Sequence, residues 1–154
     1  MKYIIKLLSS CFYTGYVPRG SGTVASIVSC IVWVFLSGRV LYPILTLLIA
    51  VIGFAICGFA EKVVFKEPDS PKIVIDEVAG MLLTYISFSF SWRFEGMLYL
   101  VSGFLFFRLL DIFKPMPVSL MQRVKGGAGV MLDDVISAVV ANGLLQILRL
   151  IFFR

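Results

Sequence analysis

Apolar residues run along this chain in blocks, and charged residues are confined largely to the gaps between them. Five apolar stretches stand out, at about Val24 to Leu36, Leu41 to Ala60, Val74 to Phe90, Met97 to Phe113 and Val130 to Phe153. A helix needs roughly 20 residues to cross about 30 Å of hydrocarbon. Several stretches are at the short end, so neighbouring helices or a locally thinned bilayer must compensate. The pattern predicts an all-α fold, a polytopic membrane helical bundle of about five transmembrane or membrane-embedded helices. Residues 1–13 are apolar, with Lys2 and Lys6 interspersed, and are followed by no convincing small-residue cleavage site. This start reads as an interfacial helix. The expected organisation is one membrane domain over residues 1–154, with residues 1–20 as its interfacial N-terminal segment.

Composition agrees with the pattern. Of 154 residues, 60% are hydrophobic and only 15% charged, and the mean hydropathy is +0.99. Soluble domains are about 45–50% apolar and about 25% charged. The net charge of +5, in so apolar a chain, points to anionic lipid headgroups as partners rather than to nucleic acid. Histidine is absent altogether. That excludes Ser-His-Asp triads, phosphohistidine intermediates, His-ligated haem and the common zinc sites. Cys11, Cys30 and Cys57 are scattered in apolar surroundings without a CxxC, as buried small hydrophobes are.

Five spans divide the charges unevenly. The N-terminal side receives Lys2, Lys6, Arg19, Lys62, Lys66, Lys72, Arg108, Lys114, Arg123 and Lys125, and the other side only Arg39, Arg93, Arg149 and Arg154. Ten basic residues against four make the N-terminal side cytoplasmic. The acids divide more sharply. Glu61, Glu67, Asp69, Asp76, Glu77, Asp111, Asp133 and Asp134 fall at or near the same side, and only Glu95 on the other. Longer, more polar loops would produce some of this bias. Positive-inside sorting does not explain acidic clustering, so the cluster points to a site.

Four segments meet on that side. In Pro18-Arg19-Gly20-Ser21-Gly22-Thr23-Val24-Ala25-Ser26, glycine gives backbone freedom while Thr23 and Ser26 lie in the first turns of a helix. This is a plain cap or a phosphate-binding N-terminus. Asp76 and Glu77 open the third apolar stretch. A helix dipole favours acids there, yet adjacent residues point about 100° apart, so at least one must face the bundle. Arg108 and Asp111 are three residues apart on one helical face that Lys114 extends, before Pro115 and Pro117 end the helix. They form either a structural ion pair or a phosphate clamp beside a metal ligand. Lys125-Gly126-Gly127-Ala128-Gly129 leads to Asp133 and Asp134. Its glycines serve a tight turn or let backbone N–H groups reach an anion. Carboxylates from three helices suit Mg²⁺, a hard cation. With Arg and Lys to hold phosphate at headgroup level, the combined reading is a metal-assisted reaction on a lipid phosphate.

These segments resemble the phosphatidylglycerophosphatase A family over nearly the whole chain. The likeness rests on Gly22-Thr23-x-x-Ser26, on Ile73-Val74-Ile75-Asp76-Glu77 with Gly80, and on Phe107-Arg108-Leu109-Leu110-Asp111 with Lys114-Pro115-x-Pro117. Its last block is Gly126-Gly127-x-Gly129 with Asp133-Asp134. The resemblance implies a Mg²⁺-dependent, multi-pass bacterial inner-membrane phosphatase that converts phosphatidylglycerophosphate to phosphatidylglycerol and inorganic phosphate, with its active site facing the cytoplasm. Asp76, Glu77, Asp111, Asp133 and Asp134 are the expected catalytic and metal-binding residues. Thr23, Ser26, Arg108, Lys114, Lys125, Gly126, Gly127 and Gly129 are the expected substrate-binding residues. Water activated by the metal, or a carboxylate forming an acyl phosphate, is the nucleophile. Two alternatives fit less well. A CDP-alcohol phosphotransferase would show Asp-Gly-x-x-Ala-Arg, which is absent. A small transporter or structural subunit would place charges near mid-span rather than at one interface.

Overall fold

A computed structural model describes residues 1–67, 70–116, 118–121 and 126–153. The described residues form helices and connecting loops, with no strand. The helices are α1 (Lys2–Ser9), α2 (Ser21–Leu36), α3 (Leu41–Phe59), α4 (Ile75–Thr84), α5 (Phe94–Phe113), α6 (Val118–Met121) and α7 (Gly127–Phe152). A wider turn at Ala60–Phe65 prolongs α3. Each of the five apolar stretches coincides with one of α2, α3, α4, α5 and α7, the helices α2, α5 and α7 each beginning three residues earlier. Among the described residues, three segments are long and apolar enough to cross a membrane, Leu41–Phe65, Phe94–Phe113 and Gly127–Phe152. Their outward residues, such as Leu47, Val51, Leu105, Val139 and Leu150, are at least half exposed. Water would penalise so continuous an apolar surface; lipid does not.

α4 is the central helix and packs against α2, α3, α5 and α7. Small residues permit this. Ala79 is fully buried, and a Cβ on Gly80 would lie 2.6 Å from Phe107 Cε2 and 3.1 Å from the Asp134 carbonyl oxygen. Without a strong hydrophobic drive between helices in lipid, such close approach is what holds them together. Below α4 lies an aromatic core in which Trp33 stacks on Tyr85 with ring centroids 4.1 Å apart. Tyr42, Phe88, Tyr99 and Leu145 close around the pair.

The third apolar stretch departs from expectation in its length. The run continues to Phe90, but α4 stops at Thr84 after 10 residues, a rise of about 15 Å. Side chains from the surrounding helices take over the backbone groups left free. Tyr42 Oη donates to the Leu82 carbonyl at 2.6 Å, and Asn142 Nδ2 to the Thr84 carbonyl at 2.8 Å. Trp33 Nε1 donates to the Phe88 carbonyl at 3.1 Å, and the Phe90 N–H donates to Ser37 Oγ at 2.9 Å. Non-helical backbone at membrane depth persists only where protein satisfies it in this way. Asn142→Leu therefore strands the Thr84 carbonyl and removes about 1–3 kcal/mol of stability. The expected result is a lower unfolding midpoint for detergent-solubilised protein. Val139→Ala, at an exposed position on the same helix, should leave the midpoint nearly unchanged.

Candidate active site

The polar ends of four helices converge. α2, α4 and α7 begin there, and α5 ends there. The approach to α4 is held from the N-terminal region. The Val74 N–H donates to the Ser9 carbonyl and Ser21 Oγ to the Pro71 carbonyl, both at 2.9 Å. A Cβ on Gly15 would collide with the Lys72 carbonyl oxygen. These contacts fix where Asp76 and Glu77 enter the bundle.

Asp76 and Glu77 on α4 and Asp134 on α7 each present a carboxylate oxygen, and the three oxygens lie within 4.8 Å of one another. Asp76 and Asp134 are 7% and 3% exposed. Asp76 Oδ1, Glu77 Oε2 and Asp134 Oδ2 are buried without a hydrogen-bond partner. Like charges at this spacing repel by roughly 3 kcal/mol per pair at an effective dielectric of about 20. Buried polar atoms normally find partners, so three clustered carboxylates that each keep an unpartnered oxygen describe a site suited to a positive group. The chemistry of the donor set, hard oxygens only, fits a cation such as Mg²⁺.

Basic groups line the rim. Arg108 Nη1 donates to Asp111 Oδ2 at 2.6 Å, and Nη2 lies 3.5 Å from Thr23 Oγ1. Arg108 Nε remains without a partner. Lys114, in a left-handed conformation at the end of α5 (φ 44°), forms an ion pair with Asp133. Adjacent aspartates on α7 thus divide their work, Asp134 facing the carboxylate cluster and Asp133 facing Lys114. Ser26 is fully buried one turn beyond Thr23, and its hydroxyl has no partner.

Of the five expected metal ligands, the structure gathers Asp76, Glu77 and Asp134 within reach of one ion, while Asp111 and Asp133 hold basic partners. Thr23 and Arg108 meet. The glycine block has a packing role. A Cβ on Gly127 would collide with the Gly58 backbone of α3, and the Gly129 N–H donates to the Gly126 carbonyl at 2.8 Å. Gly126 takes φ 82°, a conformation that favours glycine. These features match the tight-turn reading of the block. Lys125, like Asp69, lies outside the described residues. Burial, with the charges of Asp76 and Glu77, pushes the Cys11 thiol up to about 12, which suits a packing role better than a nucleophile's.

Gly22 and Gly80, which the motifs include without a chemical role, shape the site. A Cβ on Gly22 would collide with Glu77 Oε1 and sit 3.3 Å from Arg108 Nη1. Gly22 thus opens the space in which the acid and the guanidinium meet. Gly80, one turn after Asp76 on the same face, lets α7 and Phe107 close on the site. For Gly80 the sequence signal is a small residue one turn from Asp76, whereas Gly22 has no acid on its own helix to mark it.

The chain matches the phosphatidylglycerophosphatase A family over residues 7–149. It is 33% identical to phosphatidylglycerophosphatase A of Escherichia coli, over 90% of this chain and 80% of that one. It is 30% identical to the Haemophilus influenzae protein of the same name, over 89% and 83%. A Bacteroides thetaiotaomicron protein named "Putative phosphatidylinositol-3-phosphatase" is 30% identical over 93% and 92%. No solved structure matches the chain. The match spans all four convergent segments, and the chain belongs to the phosphatidylglycerophosphatase A family.

Proposed function

We propose that this phosphatase hydrolyses the terminal phosphomonoester of phosphatidylglycerophosphate, yielding phosphatidylglycerol and inorganic phosphate, at the cytoplasmic face of a bacterial inner membrane. The observation that carries the reading is the clustering of three carboxylates, each with an unpartnered buried oxygen, beside Arg108 at the polar end of an apolar bundle. Asp76, Glu77 and Asp134 are the residues that would hold Mg²⁺. When bound, that ion supplies polarisation of phosphoryl oxygens and a lowered pKa for water. The chain's own groups do the rest. Arg108 binds and orients the phosphoryl group, and Asp111 holds the guanidinium in place. Thr23 Oγ1 fixes its second nitrogen. Lys114, balanced by Asp133, adds positive charge where the product phosphate leaves.

In this reading α2, α3, α4, α5 and α7 are five membrane-embedded segments that alternate in direction, and α1 lies in the interface. The alternation brings the N-terminus and the site to one side, the side with ten of the fourteen basic residues. A transport pathway fits less well, since the clustered acids lie in the helical turns nearest one end. Glu95, at the opposite end of α5, accepts a hydrogen bond from Tyr99.

The test is phosphate release by detergent-purified protein from three lipids, namely phosphatidylglycerophosphate, phosphatidic acid and phosphatidylinositol 3-phosphate. The expected outcome is a kcat/KM at least tenfold higher on the first. Equal or faster release from the inositol lipid would overturn the substrate assignment. No release from any of them would overturn the reading as a whole.

A further inference from the structure

We infer that the groove between α2 and α5 is the subsite for one acyl chain of the lipid substrate, so that the phosphate is presented to Arg108 from within the bilayer. The inference rests on the functional reading above and adds to it how the lipid is held.

The sequence places two stripes in register with the site. On α2, Thr23 is followed at helical spacing by Ile27, Ile31 and Val34. On α5, Arg108 is preceded by Leu105 and Val101. Residues three and four apart share a helical face, so each stripe starts at a polar residue of the site and continues as apolar surface. The contact between Arg108 Nη2 and Thr23 Oγ1 joins the two stripes at their polar end. Beyond that contact the helices leave a groove of about 490 Å³ whose accessible lining is wholly apolar. Ligand pockets are commonly about 300–1,000 Å³. Cys30 forms part of its floor, backed by Tyr85, whose hydroxyl lies 3.8 Å from the sulfur. Ile27, Ile31, Val101 and Leu105 are 47–54% exposed, so the groove opens sideways to lipid rather than to water. From Thr23 to Phe35, at the far end of the groove, is 12 residues, or about 18 Å of helix. That is the reach of a single extended chain in one leaflet plus the headgroup layer.

Any apolar helix in a membrane is covered by lipid. Continuity distinguishes this surface. It leads directly to the guanidinium beside the carboxylate cluster, whereas the exposed face of α3 leads to Lys62 instead of Arg108. A chain lying here would pin the glycerol backbone beside Thr23 and limit the positions its phosphate can take. Binding energy from a remote, non-reacting part of a substrate is used in this way to orient the reacting centre.

The test fills the groove. Ile31→Trp and Leu105→Trp each place a bulky ring in it, and Leu48→Trp puts the same ring on the lipid-facing side of α3 as control. Each protein is assayed on long-chain phosphatidylglycerophosphate in mixed micelles and on the deacylated, water-soluble headgroup phosphate. The expected result is at least a tenfold loss of kcat/KM on the lipid for both groove variants. Their activity on the soluble headgroup should stay within twofold of wild type, and the control should match wild type on both. Equal loss on both substrates, loss on neither, or equal loss in the control would each overturn the subsite and leave the proposed activity standing. Failure of the wild-type protein to release phosphate from either substrate would instead overturn the functional reading, and the subsite with it.

Discussion

Asp134→Asn is expected to reduce phosphate release by at least about a thousandfold, a barrier increase of roughly 4 kcal/mol, while the protein still folds and binds detergent normally. The reason is charge rather than shape. Asparagine fills nearly the same space on α7, but the cluster keeps only two carboxylates, and the orphaned Oδ2 of Asp134 is replaced or displaced by a neutral amide. Asp76→Asn should behave alike, since its carboxylate is the other nearly inaccessible member. Asp133→Asn provides the internal contrast. Asp133 is next in sequence and equally acidic, but its partner is Lys114. Its loss should cost closer to tenfold, with the deficit mainly in KM. Glu95→Gln, at the far end of α5, should stay within twofold of wild type. If Asp133→Asn and Asp134→Asn fell equally far, the division of labour between these neighbours would be wrong. If Glu95→Gln were as damaging as either, the assignment of one catalytic end to the bundle would fail. Steady-state kinetics on four purified variants, with unfolding midpoints to confirm the fold, decides between these outcomes.

The adjacent acids also show how far the site could be read before the structure. Adjacent helical residues diverge by about 100°, so at least one member of each Asp-Glu or Asp-Asp pair had to face the bundle. That both Asp76 and Glu77 join the cluster, but Asp134 without Asp133, depends on how α4, α5 and α7 are rotated, and no local pattern encodes that. The Arg108–Asp111 pair was more legible, because both residues lie on one helix at fixed spacing and the contact is local. Helix existence was legible for the same reason, since long apolar runs leave a continuous segment few choices in lipid. The end of α4 was not. Nothing in Thr84-Tyr85-Ile86-Ser87 resembles a glycine or proline stop. The helix ends where Tyr42 and Asn142, 40 and 58 residues from their acceptors in sequence, donate to the Leu82 and Thr84 carbonyls. Gly22 and Gly80 were visible as glycines, but their purpose is a collision avoided with residues of other helices.

Withdrawal of divalent cations is expected to stop turnover and, at the same time, to reverse the stability order of wild type and Asp134→Asn. In EDTA the three carboxylates of the wild-type site repel one another at separations within 4.8 Å. Removing one charge relieves two of the three repulsive pairs, so the variant should unfold at a higher temperature than wild type. Added Mg²⁺ stabilises only a folded site that binds it. At 100 times the dissociation constant the gain is about 2.7 kcal/mol, or roughly 5–10 °C in Tm for a chain of this size. Wild type should therefore overtake the variant as Mg²⁺ is titrated, and phosphate release should return over the same concentration range. Ca²⁺ is larger and takes six to eight oxygens in looser geometry, so it should restore stability more readily than activity. Two measurements on one titration, a thermal midpoint and a rate, make the argument vulnerable. Full activity in EDTA would remove the cation from the mechanism. Equal Mg²⁺ shifts in wild type and Asp134→Asn would place the ion somewhere other than between α4 and α7.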